Sequence, residues 1–83
     1  MSPGSILKYN KENFGFKRYY ILVKLRFPEQ DNFYDTIILQ FDKDNTLFAM
    51  ILDGCTDSTN PDLELIDKAQ FLREVGTKNV PAY

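Results

Sequence analysis

Three groups of residues in this chain have chemistry beyond folding. Asp42 and Asp44 stand two apart, directly after the apolar run Ile37, Ile38, Leu39 and Phe41. Paired carboxylates at that spacing can share acid–base work or hold a divalent cation. Cys55, the only cysteine, stands between Asp53 and Asp57. Neighbouring carboxylates disfavour the nucleophilic thiolate. The third group is a set of cations and aromatics before residue 28: Lys8, Tyr9, Phe14, Phe16, Arg18, Tyr20, Lys24 and Arg26. Aromatic faces stack on unpaired bases while cations hold phosphates, and Tyr and Arg also dominate protein-binding hot spots. Histidine is absent. That removes imidazole metal sites, Ser-His-Asp triads and ordinary near-neutral acid–base catalysis.

Length narrows these options further. The chain has 83 residues, enough for one small domain (1–83) and too few for most self-contained enzyme scaffolds. A lone cysteine forms no intramolecular disulfide, which points to a reducing compartment. The sequence carries no membrane-length apolar run and no signal-peptide core, so the expectation is a soluble, intracellular, cytoplasmic protein. The net charge of −2 conceals a division. Up to Phe27, six cations (Lys8, Lys11, Lys17, Arg18, Lys24, Arg26) meet one acid, Glu12, giving +5. From Pro28 onward four cations meet eleven acids, giving −7. Such a split marks two chemically distinct surfaces, or two regions that attract each other.

The elements that position these groups follow from hydrophobic period and turn chemistry. After the Pro3-Gly4 breaker, a short strand spans about 5–9, and Asn10–Asn13 is turn-like. The clearest strand is 16–27. Tyr19, Ile21, Val23, Leu25 and Phe27 fall on one face, and Arg18, Tyr20, Leu22, Lys24 and Arg26 on the other. A third strand spans 33–41, and Asp42-Lys43-Asp44-Asn45 reads as its hairpin loop. The fourth, 46–52, is apolar at nearly every position, as a strand buried on both faces would be. Asp53-Gly54 ends it, and Cys55–Thr59 reads as loop. Asn60-Pro61-Asp62 resembles a helix start, so a helix is expected over about 61–75 with Gly76 as its C-terminal stop. Thr77–Tyr83 either frays or adds a last strand. The fold class is α+β, mostly β: a four- to five-stranded antiparallel meander or small barrel with one C-terminal helix.

Three local resemblances can be drawn. Phe41-Asp42-Lys43-Asp44-Asn45-Thr46-Leu47 resembles the first motif of haloacid-dehalogenase-type phosphatases, which implies a nucleophilic Asp42, an acid–base Asp44 and magnesium. The chain after this motif is too short for that family's parallel sheet and later motifs, and a hairpin loop prefers the same residues. The sixth position counted from Asp42 is Leu47, where a calcium loop needs glycine. Gly4-Ser5-Ile6-Leu7-Lys8-Tyr9-Asn10, followed by Phe14-Gly15-Phe16, resembles the opening of cold-shock domains. It implies an OB-like barrel that contacts single strands through Lys8, Tyr9, Phe14 and Phe16. Pro3-Gly4-Ser5-Ile6-Leu7 with Arg18-Tyr19-Tyr20-Ile21-Leu22-Val23 is similar to small SH3-like barrels.

The expected function is that of a non-catalytic interaction module, with no catalytic residue, cofactor or metal. It binds a protein partner through a sheet face or edge, as small adaptors or inhibitors of phage or mobile-element type do. The contact set is Arg18, Tyr20, Leu22, Lys24, Arg26 and Tyr34, with Tyr34, Thr36, Ile38 and Gln40 on the adjoining strand's equivalent face. The alternative is single-stranded nucleic-acid binding through Lys8, Tyr9, Phe14, Phe16, Arg18 and Tyr20. An exposed fourth or fifth strand could also pair across a dimer.

Overall fold

A computed structural model describes residues 1–11 and 14–76. In chain order the elements are β1 (Ile6–Tyr9), β2 (Lys17–Leu25), β3 (Phe33–Phe41), β4 (Leu47–Asp57), β5 (Leu63–Ile66) and α1 (Lys68–Val75). β1 to β4 form an antiparallel meander, and β5 returns to pair with β1. The spatial order is therefore β4-β3-β2-β1-β5. The sheet is open, with β4 and β5 at opposite edges. This corrects the small-barrel expectation: closure would require β4 to pair with β5, and the two stand at the far ends of the sheet. The turn expected at 10–13 and the tail at 77–83 include residues outside the described part.

Each face of the sheet carries a small core. On one face Tyr19, Phe41, Ile66 and Val75 are buried, with Ile6, Leu39 and Phe71 against them. This is the helix side: the Phe71 ring meets Tyr19 edge-on at 4.8 Å between centroids. On the other face Leu7, Leu22 and Tyr34 are buried, with Tyr20 and Leu63 packed beside them. The N-terminal turn is tied to this region, where Gly4 N–H donates to Leu22 C=O at 2.7 Å and Tyr34 Oη donates to Met1 C=O at 3.1 Å.

Two elements differ from the sequence expectation for physical reasons. Asn60-Pro61-Asp62 starts a turn, not a helix. Leu63 N–H donates to Asn60 C=O at 3.0 Å, and Asp62 N–H donates to Asn60 Oδ1 at 2.9 Å. A turn with proline in its second position and a helix entry favour the same residues. Leu63–Ile66 then continues as β5, and the true N-cap is Asp67, whose Oδ1 accepts from Gln70 N–H at 2.7 Å. The second difference is β4. It runs on through Cys55 to Asp57, so Cys55 lies on a strand and not in a loop. It is also an edge strand, where burial on both faces was expected.

Candidate functional site

Position in the sheet gives β4 its character. Leu47, Phe48, Met50, Ile51 and Leu52 are 39, 53, 53, 39 and 68% exposed. From Thr46 to Leu52 there is no charge and no proline. Two bulges shape the strand. Its register against β3 slips between Gly54 and Ile51 and again between Ala49 and Leu47, each time with an extra β4 residue. A regular ladder survives at Ile38–Ile51, Leu39–Met50 and Gln40–Ala49. Bulges re-aim side chains, and here the two most exposed apolar groups beside that ladder, Leu52 and Phe48, flank it. The Phe48 ring packs edge-on against Phe16 at 5.6 Å. The opposite edge is blunted. β5 has four residues, one of them Glu64, and short, charged edges resist pairing.

The expected contact face on β2 and β3 is divided. Arg18, Tyr20 and Leu22 do pair with Gln40, Ile38 and Thr36. A bulge at Val23 then shifts the register, so that Lys24 pairs with Asp35 and Leu25 with Tyr34. Beyond the bulge Lys24 and Arg26 leave the Tyr20 side, and Arg26 pairs with Asp35. Leu22 is 1% and Tyr34 5% exposed, so both belong to the core. The stripe of five that simple alternation implies is not one surface, because alternation cannot register an extra residue. Arg18 and Tyr20 are half-buried and Lys24 is exposed. The Arg18 guanidinium lies over the Tyr9 ring at 5.5 Å, and its Nη1 donates to Tyr20 Oη at 3.3 Å. Its Nε is buried without a hydrogen-bond partner among the described residues.

The basic and aromatic residues of the first third separate in the same way. Lys8 lies on the helix side, 2.9 Å from Glu74 Oε1, while Tyr9 and Arg18 lie on the opposite face. Phe14 and Phe16 are 90 and 43% exposed. A shallow depression of about 410 Å³ is lined by Lys8, Tyr9, Lys11, Phe16, Lys17 and Glu64, among others. All three ion pairs among the described residues, Lys8–Glu74, Lys11–Asp62 and Arg26–Asp35, join the basic third to the acidic remainder. Much of the split charge is thus spent within the molecule.

The paired carboxylates are turn residues by geometry. Asp42 Oδ1 accepts from Asp44 N–H at 2.9 Å and from Thr46 N–H at 3.0 Å, and Asn45 takes a positive φ of 63°. Both features suit a tight hairpin loop. Cys55 is a free, exposed thiol. Among the described residues no group of three or more His, Cys, Asp or Glu could hold a metal ion. Among those residues, too, no helix is long and apolar enough to cross a membrane.

No family model, curated protein or solved structure matches this chain.

The sequence offers residues 47–52 only as a fourth strand that would pair across a dimer if exposed, and does not place them in the contact set. The signal was present in their unbroken apolarity. Strand order decides whether such a run is central or at an edge, and composition does not carry strand order.

Proposed function

We propose that this chain is a non-catalytic protein-interaction module that accepts a partner strand along the open edge of β4. One observation carries the reading: an eleven-residue edge strand whose Leu47–Leu52 segment is apolar and exposed. Edge strands present unpaired N–H and C=O groups, and native proteins protect such edges with charge, proline, bulges or cover; the two bulges of β4 leave Ala49–Ile51 as the regular stretch between them. Uncharged and uncovered among the described residues, this segment is suited to strand addition, in which main-chain bonds supply affinity and side chains supply specificity. An adaptor or inhibitor role is consistent with the size of the domain.

The test is affinity capture with the tagged protein in its own cells. Proteins recovered by the wild type are expected to be lost with Met50→Lys and kept with Val23→Lys, which alters an exposed residue away from the edge. If Met50→Lys keeps them while folded, the β4 edge is not the contact.

A second reading rests on a separate observation: Phe16 lines one depression with Lys11 and Lys17, and Phe14, two residues before it, is exposed. It is binding of single-stranded nucleic acid through stacking and phosphate contacts. Retention of a labelled oligonucleotide should then fall steeply with salt as counterions are released, and Phe14→Ala should weaken it. No retention at low salt removes this reading.

A further inference from the structure

We infer that the strand received by the β4 edge is β4 of a second copy, giving a two-fold dimer with one continuous ten-stranded sheet. The inference rests on the strand-addition reading above and names its occupant.

Area, charge and symmetry each support it. The five exposed side chains from Leu47 to Leu52 are on average about half exposed. At roughly 200 Å² for each large apolar residue, they offer about 500 Å² per copy. An edge contact covers part of this area, so two copies bury up to about 1,000 Å² of side chain before any main-chain contribution, the size of a weak, reversible interface.

Charge sets the direction. β4 carries its acids, Asp53 and Asp57, at one end. A parallel pair would set Asp53 beside Asp53. An antiparallel pair centred on Met50 sets Asp53 opposite Leu47 and Phe48 opposite Leu52, so no carboxylate meets another. Antiparallel pairing of like strands is also what a two-fold axis generates, and two-fold interfaces are self-complementary. The regular ladder at Ala49–Ile51 lies at that axis. The extra residues beside it place apolar groups on both sides of the junction. The β5 edge offers no comparable match, because Leu65 is its one large exposed apolar residue.

Sedimentation equilibrium of the full chain over micromolar to millimolar concentration tests the proposal. The wild type should follow a monomer–dimer equilibrium. Met50→Lys and Leu52→Lys, both at exposed positions, should raise the dissociation constant about 100-fold while leaving the thermal midpoint of the monomer unchanged. In a Cys55→Ser background, Met50→Cys should form a disulfide-linked dimer on mild oxidation and Leu65→Cys should not. A wild type that stays monomeric at millimolar concentration overturns self-pairing, yet leaves the edge open to another protein's strand. A dimer that survives both lysine variants in folded form overturns self-pairing at β4, and the edge reading then stands or falls on whether Met50→Lys loses the captured partner.

Discussion

At Glu74 three donors converge. Tyr19 Oη donates to Oε1 at 2.7 Å, Lys8 Nζ lies 2.9 Å from the same oxygen, and Gln70 Nε2 donates to Oε2 at 2.9 Å. Burial opposes ionisation, but the hydrogen bonds from Gln70, Lys8 and Tyr19 hold the carboxyl below its ordinary 4.5. Burial, with Glu74 beside it, pushes the Tyr19 phenol well above its usual value. The direction for Glu74 fixes a stability trend. Its folded pKa is depressed, so near and below pH 4.5 the unfolded chain binds the proton more readily, and stability rises with pH. The contribution is complete above the ordinary value and is lost as pH falls through the depressed one. Glu74→Gln should therefore be less stable than wild type at pH 7, with the gap closing in acid, as read from urea unfolding at several pH values. Tyr19→Phe should cost about 1.5–3 kcal/mol near neutrality, the usual net worth of a hydrogen bond to a charged group. Only the Gln70–Glu74 contact of this cluster, four residues apart on one helix, is local; the Tyr19 bond joins residues 55 apart and depends on the docking of α1 on β2. The turn role of Asp42 was legible, because its partners are two and four residues away.

Among the elements, local rules identified what local forces decide. The alternation of Tyr19 and Ile21 against Arg18, Tyr20 and Leu22 holds in β2, and β3 follows its expected bounds. The failures lie where a long-range pairing chose between two local options. Asn60-Pro61 serves a turn or a helix entry equally, and the presence of β1 as a partner decides for a strand at Leu63. Gly54 marks a bulge where the sequence implied a strand end. A Cβ there would lie 2.7 Å from Ile38 Cδ1 and 2.8 Å from Thr36 Oγ1. Gly54→Ala should accordingly destabilise the domain by about 1–3 kcal/mol through overpacking, measured by chemical denaturation. Loss of the helix cap in Asp67→Ala should cost about 1 kcal/mol by the same measurement. The buried Thr36–Thr56 hydroxyl pair at 2.9 Å fixes the register on the other side of that bulge.

Over the whole molecule, the openness of the sheet is the feature on which the proposed function rests. A chain of this size divides its apolar residues between two faces, and one C-terminal helix covers part of one face. Had β4 closed against β5, alternate residues of Leu47–Leu52 would point inside and no edge would remain. Because the sheet stays open, that segment faces outward among the described residues. Of the six cations in the basic third that first suggested an external surface, Lys8, Lys11 and Arg26 are held in ion pairs with acids of the later chain, while Lys17, Arg18 and Lys24 are in none of the ion pairs among the described residues. The sequence therefore showed the fold class and most strands and offered a fourth strand for pairing across a dimer, while strand order decided that this strand is an edge. Amide hydrogen exchange along β4, compared between dilute and concentrated protein, tests the edge claim most directly. Amides of 47–52 that point to the open edge should slow markedly as association proceeds, while those of Leu63–Ile66 stay unchanged. Unaltered exchange along β4, with new protection around Arg18 and Tyr20 instead, would contradict the account.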